Sequence, residues 1–138
     1  MLETIREALV QAVHADFAAA FPGVPLVHDN APFNWAEPPD RFVSYEVEFT
    51  AGRQIAVAGD PKTRYHGFVY ITAYLRDGLG TRWCSQVLKW FDKPNLAYRV
   101  LSATGTSINL EALDTTGSDR AKGFRCEHAK VSWRANPA

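Results

Sequence analysis

Phe42-Val43-Ser44-Tyr45-Glu46-Val47-Glu48-Phe49 is the stretch that decides the fold. Val43, Tyr45, Val47 and Phe49 fall on one side of a period-two pattern; Ser44, Glu46 and Glu48 fall on the other. Such alternation predicts a strand with one buried face and one wet, acidic face. Ala51-Gly52 turns the chain, and Gln54-Ile55-Ala56-Val57 returns as a second strand. Gly59-Asp60-Pro61-Lys62-Thr63-Arg64 reads as a polar, turn-rich loop. Phe68 to Leu75 is apolar on both faces, and its β-branched and aromatic content predicts a central strand covered on both sides.

Upstream, residues 2–21 predict one amphipathic helix. Leu2, Ile5, Leu9, Ala12, Val13, Phe17 and Ala20 recur at three- and four-residue spacing, with Glu3, Arg6, Glu7, Gln11 and His14 opposite. Phe21-Pro22-Gly23 stops it. Val24 to His28 predicts a short strand, which Pro25 places at an edge or at a strand start. Residues 30–41 form a loop with three prolines, and Phe33 and Trp35 in it either pack back on the core or meet a partner.

Downstream, Asp77-Gly78-Leu79-Gly80-Thr81 is a loop ending in a candidate N-cap, and residues 82–92 form a second helix. Tyr98 to Ser107 predicts one strand, extendable past Gly105 through Ile108 and Leu110, and Gly123 to Arg134 another. Between them, Asp114 to Arg120 has no apolar residue and predicts an exposed loop. The whole is an α+β single domain spanning 1–138, a mixed, mostly antiparallel sheet flanked by two helices in the order α-β-β-β-β-α-β-β.

Composition narrows the function. The 138 residues suit one domain. Fifteen Lys+Arg balance fifteen Asp+Glu, which argues against a general nucleic-acid binder but leaves room for a local patch. No apolar run has transmembrane length, and the acidic first turn is unlike a signal peptide, so the protein is expected to be cytoplasmic when made. Cys84 and Cys126 suit reduced core thiols.

Catalytic and metal chemistry find little to rest on. There is no GxSxG elbow, and Cys84 lies on the apolar side of its helix. His14, His28, His66 and His128 form no HxH or HExxH, so no metal site is expected. Gly78-Leu79-Gly80 lacks the third glycine and the Lys-Ser/Thr of phosphate loops, and reads as a strand-to-helix turn. Asp60, Asp77 and Asp92 fall at loop or helix ends, where carboxylates cap turns. The local charge pattern says more. Arg53, Lys62 and Arg64 gather around the hairpin, while Glu46 and Glu48 lie on the adjoining strand. Opposed patches allow identical subunits to join head to tail.

The segment Thr63-Arg64-Tyr65-His66-Gly67-Phe68-Val69-Tyr70-Ile71, then Asp77 to Thr81, then the Trp83–Phe91 helix resembles small tail proteins of long-tailed bacteriophages and prophages. With the amphipathic helix before it, the chain is similar to tail terminators over roughly 1–135, most closely over about thirty residues. The resemblance implies an α+β subunit of a hexameric ring that caps the tail tube, ends its polymerisation and forms the head-joining surface. It implies no enzymatic activity, no cofactor and no membrane. Its partners would be other copies of itself, the tube protein and a head-completion or connector protein, with DNA only a non-specific passing contact. Its location would be the bacterial cytoplasm during assembly and the virion tail thereafter. Candidate interface residues are Phe33, Trp35, Glu46, Glu48, Arg53, Lys62 and Arg64. The alternatives are another binding or adaptor protein of a phage particle, such as a head–tail completion protein, or a small enzyme.

Overall fold

The alternating stretch forms strand β2, Arg41–Phe49, and the sheet grows on both sides of it. The computed structural model describes residues 2–28, 34, 36–50, 53–57, 60–80 and 82–137, with 53–57, 60–63 and 137 described through their backbone alone. The elements are α1 (Leu2–His14), α2 (Phe17–Ala20), β1 (Leu26–His28), β2, β3 (Arg53–Val57), β4 (Asp60–Arg76), α3 (Arg82–Trp90), β5 (Val100–Ala103), β6 (Thr106–Ala121) and β7 (Phe124–Pro137). The sheet runs β1-β2-β4-β7-β6-β5, with β3 pairing with β4 off this path. Among the described residues only β1 pairs in parallel, with β2; every other pair is antiparallel. The α+β class and the mixed, mostly antiparallel sheet therefore hold, but the element order differs from the expected one.

Four differences have physical causes. The first helix breaks after His14, where Asp16 adopts a left-handed φ of 62°. Phe17 follows Val13 by one helical turn and is equally buried, so the apolar spacing runs straight through the break. Phe17 instead packs its ring on Phe21, Trp90 and Phe91, with centroids 5.2 to 5.6 Å apart. Second, the loop expected over 59–64 is strand from Asp60 onward. Third, the strand expected from Tyr98 is a hairpin, turned at Thr104-Gly105 with φ of 30° and 74°. Fourth, residues 114–120 belong to β6, which continues to a second two-residue turn at Lys122-Gly123, φ 52° and 82°. Positive φ at both central residues is what right-twisted hairpins require, and Gly at the second position provides half of it freely.

The core lies on one face of the sheet. Ile5, Leu9, Ala12 and Val13 of α1 and Cys84, Val87 and Leu88 of α3 share one cluster with Val43, Tyr45 and Val47 of β2, Val69, Ile71 and Ala73 of β4, and Ala129, Val131 and Trp133 of β7. Registry puts these strand residues on the same side. Burying each large apolar side chain contributes about 1.5–3 kcal/mol. Both long helices thus cover one face, and β4 is not covered on both sides as expected. On the other face the described residues close one end. Phe42, Phe124 and Cys126 are buried there against Tyr74. The Phe42 and Tyr74 rings stack at 4.5 Å, and Phe124 meets Phe42 edge-on at 5.5 Å. Arg76 lies 5.0 Å over Phe124 and holds the 36–40 loop, donating to Asp40 at 2.7 Å and to the Pro38 carbonyl at 2.9 Å.

Candidate functional site

Among the described residues nothing packs over the rest of that second face, and its rows follow from the register. Glu46, Tyr70, Lys130 and Asp114 form one row across β2, β4, β7 and β6. Glu48, Phe68 and Ser132 form the next. Ser44, Thr72 and His128 lie on the other side of the first, and Ser44, expected on the wet face, is buried beside the closed end. Alternation along each strand puts all of them on the side away from the helices.

The first two rows join aromatic surface to charge. Glu46 and Glu48 are exposed, while Phe68 and Tyr70 are half-buried, with ring centroids 5.6 Å apart. Lys130 Nζ stands 4.8 Å from the Phe68 ring centre, a cation–π contact. The Tyr70 hydroxyl donates to Glu48; its pKa is pushed up, first by desolvation and then by the negative charge of Glu48 and Glu46. Among the described residues, neither Glu46 nor Glu48 is in a salt bridge.

Below them, His128 ties three strands together. Its Nδ1 lies 3.0 Å from Thr72 Oγ1 and its Nε2 lies 3.0 Å from Asp119 Oδ1. An ionised carboxylate only accepts, so Nε2 carries a proton; in the neutral ring Nδ1 then accepts from the Thr72 hydroxyl. Hydroxyl, imidazole and carboxylate follow the order of an activated nucleophile. Yet β4 runs between β2 and β7, so its backbone N–H groups near Thr72 are committed to the ladders. The arrangement is a cross-strand tie.

The sequence-predicted residues divide accordingly. Glu46 and Glu48 come together on the open face. Arg53 and Arg64 are brought opposite each other, and Lys62 stands opposite Ile55, in the β3–β4 pair. The Arg64 side chain is half-buried, and its Nε has no hydrogen-bond partner among the described residues. Phe33 and Trp35 lie outside the described residues. Sequence reasoning missed Phe68, Tyr70 and Lys130 as neighbours of the acidic pair. The signal was there: Phe68 and Tyr70 fall at the even positions of β4, as Glu46 and Glu48 do on β2.

Two further surfaces stand out. A groove of about 520 Å³ runs between α3 and the polar part of β6 and β7, lined among others by Ser85, Leu88, Lys89, Asp92, Thr115 and Glu127. Ser85 donates to Glu127 across its floor at 3.0 Å. At the β5 edge, Tyr98 and Val100 are 57% and 66% exposed. Both cysteines are free and buried, and desolvation pushes each thiol up to about 11. Among the described residues, no group of three or more His, Cys, Asp or Glu could hold a metal ion, and no helix is long and apolar enough to cross a membrane.

Fold and face together define a small α+β protein with a one-sided sheet whose open side presents aromatic and acidic rows. A solved structure, at 19% sequence identity, matches this fold with a TM-score of 0.77, covering 100% of this chain and 97% of its own. At that identity the likeness concerns the fold alone. No family model matches the chain, and no curated protein matches it in sequence.

Proposed function

We propose that the protein is a structural assembly subunit, a tail terminator-like protein of a bacteriophage or prophage. Copies of it form a ring, most simply a hexamer, that caps the tail tube, ends its polymerisation and offers the surface to which the head joins. The observation that carries this reading is the uncovered sheet face, where Phe68 and Tyr70 sit among Glu46, Glu48 and Lys130 on a rigid ladder. Aromatic surface rimmed by charge is the composition of a protein interface. The resemblance of residues 63–91 to tail proteins supplies the kind of assembly. The mechanism is steric: one side of the ring matches the tube, and the other does not propagate it. Assembly takes place in the bacterial cytoplasm, and the ring stays in the virion tail. DNA passes through without specific recognition.

A second reading, an adaptor or head–tail completion protein, is favoured by the α3–β6–β7 groove, which a segment of another virion protein could fill. Light scattering and negative-stain electron microscopy, with and without purified tail tubes, separate the two. Rings, free or seated on tube ends, are expected. A subunit that stays monomeric and never joins a tube end overturns the terminator reading; binding to head connectors instead supports the adaptor.

A further inference from the structure

The β3–β4 pair is an arm. The rungs of β4 with β2 begin at Phe49 and Gly67, and those with β7 at Tyr65 and Ala135. Residues 60–64 of β4 run on beyond the last of these rungs and pair only with β3, from Arg53 opposite Arg64 to Val57 opposite Asp60. Five residues of two-stranded ribbon reach about 17 Å. A lone ribbon of this kind is marginally stable in water, and a surface to lie on would stabilise it.

Its charge says which surface. The two strands carry Arg53, Lys62 and Arg64 against a single acid, Asp60, at the far end. Arg53 and Arg64 are direct register partners, and like charges so placed destabilise the isolated arm. An anionic partner reverses the sign of that interaction. Glu46 and Glu48 provide one. They are two residues apart on β2, as Lys62 and Arg64 are on β4, so both pairs repeat at about 7 Å. The arm cannot readily lie on its own acids: four residues of β4, about 13 Å, separate Arg64 from Phe68, the partner of Glu48, and the ribbon runs away from them.

We infer that the basic β3–β4 arm of one copy seats on the Glu46/Glu48 rows of the open face of the next copy. The inference rests on the assembly reading and names its contact. Arm and face are different surfaces, so the contact is head to tail and closes into a ring when the rotation per copy permits. Phe68 and Tyr70 give the arm apolar surface to lie against, and the charges fix its register.

Zero-length carbodiimide coupling tests this. It joins Lys62, the one lysine on the arm strands, to a carboxylate in contact with it. Equal amounts of ordinary and nitrogen-15-labelled protein are mixed, coupled with and without tail tubes, and digested for mass spectrometry. Lys62 peptides joined to Glu46 or Glu48 are expected, about half of them carrying one label of each kind. Raising the salt from 0.05 to 0.5 M should lower their yield several-fold. The chain with E46R and E48R should lose ring formation, and adding R53E and R64E to it should restore it, with thermal melting checking the fold of each. Rings without the mixed-label link, or rings unaffected by E46R and E48R, overturn the inference and leave the assembly reading standing. The link formed by a protein that never joins tube ends does the reverse. Neither rings nor link overturns both.

Discussion

Replacing Gly67 with alanine is the sharpest test of the β2–β4 junction. A Cβ built on Gly67 falls on the backbone carbonyl of Glu48 and lies 3.0 Å from Trp133 Cζ2. Non-bonded carbons need about 3.5 Å, so β2 has to retreat on the order of an ångström. The obstacle on one side is backbone and on the other a Trp133 ring that is 1% exposed and packed edge-on to Phe49 at 5.0 Å. Overpacking of this kind costs about 1–3 kcal/mol. Retreat of β2 also strains the neighbouring bond from Thr50 N–H to the His66 carbonyl, 2.8 Å long, and the adjoining rung, each worth about 1 kcal/mol. The expected loss is therefore about 3–5 kcal/mol, a large share of the roughly 5–15 kcal/mol that holds a domain folded. It should lower the thermal midpoint by about 10–20 °C. Circular-dichroism melting and guanidinium titration measure it. Gly78→Ala is the control: that position has φ 90° and open space around it, so its cost is about 1 kcal/mol from backbone strain alone. A Gly67→Ala protein that melts within about 3 °C of wild type would falsify the close approach of β2.

Three other outcomes follow from the structure. His14 has its pKa lowered from 6.5, first by burial and then by His28, and its Nε2 lies 2.8 Å from the Tyr45 hydroxyl. Below 6.5 the unfolded chain binds the proton more readily, so this contribution to stability, present above 6.5, is lost as pH falls through the folded value. Denaturation titrations at pH 5 and 7.5 should show a drop that shrinks in His14→Asn; an unchanged drop refutes it. With both thiols pushed to about 11, Cys84 and Cys126 should resist a disulfide reagent at pH 7.5 and react fully only in guanidinium. Fast labelling of either in the native protein contradicts their burial. Lys122→Asn, at φ 52° before Gly123, should stabilise the β6–β7 turn by about 0.5 kcal/mol, seen as a higher guanidinium midpoint. A lower midpoint counts against the assigned turn.

The sheet was legible where burial is one-sided. In β2 the alternation of Val43, Tyr45 and Val47 with Glu46 and Glu48 matches the faces observed. It failed where a strand lacks apolar residues. Residues 114–120 are exposed along their length and are held by backbone pairing with β7, which leaves no hydrophobic signature to read. Nor does Lys-Gly carry the usual Asn-Gly mark of a two-residue turn. Of the candidate interface, the sequence supplied the charges but not their neighbours. Phe68 and Lys130 are 62 residues apart in the chain and meet only because β7 returns beside β4.

The length of β4 has a mechanical side. Its 17 residues make one continuous strand of about 56 Å, held by nine register pairs to β2 on one side and twelve to β7 on the other. A pull along the arm therefore loads those rungs together, in shear, and does not peel them one by one. The five β3 rungs at the tip have no such support and give way first. Tension applied at the arm is spread through the middle of the sheet before it reaches the helices, which leaves the body of the subunit intact while the tip yields.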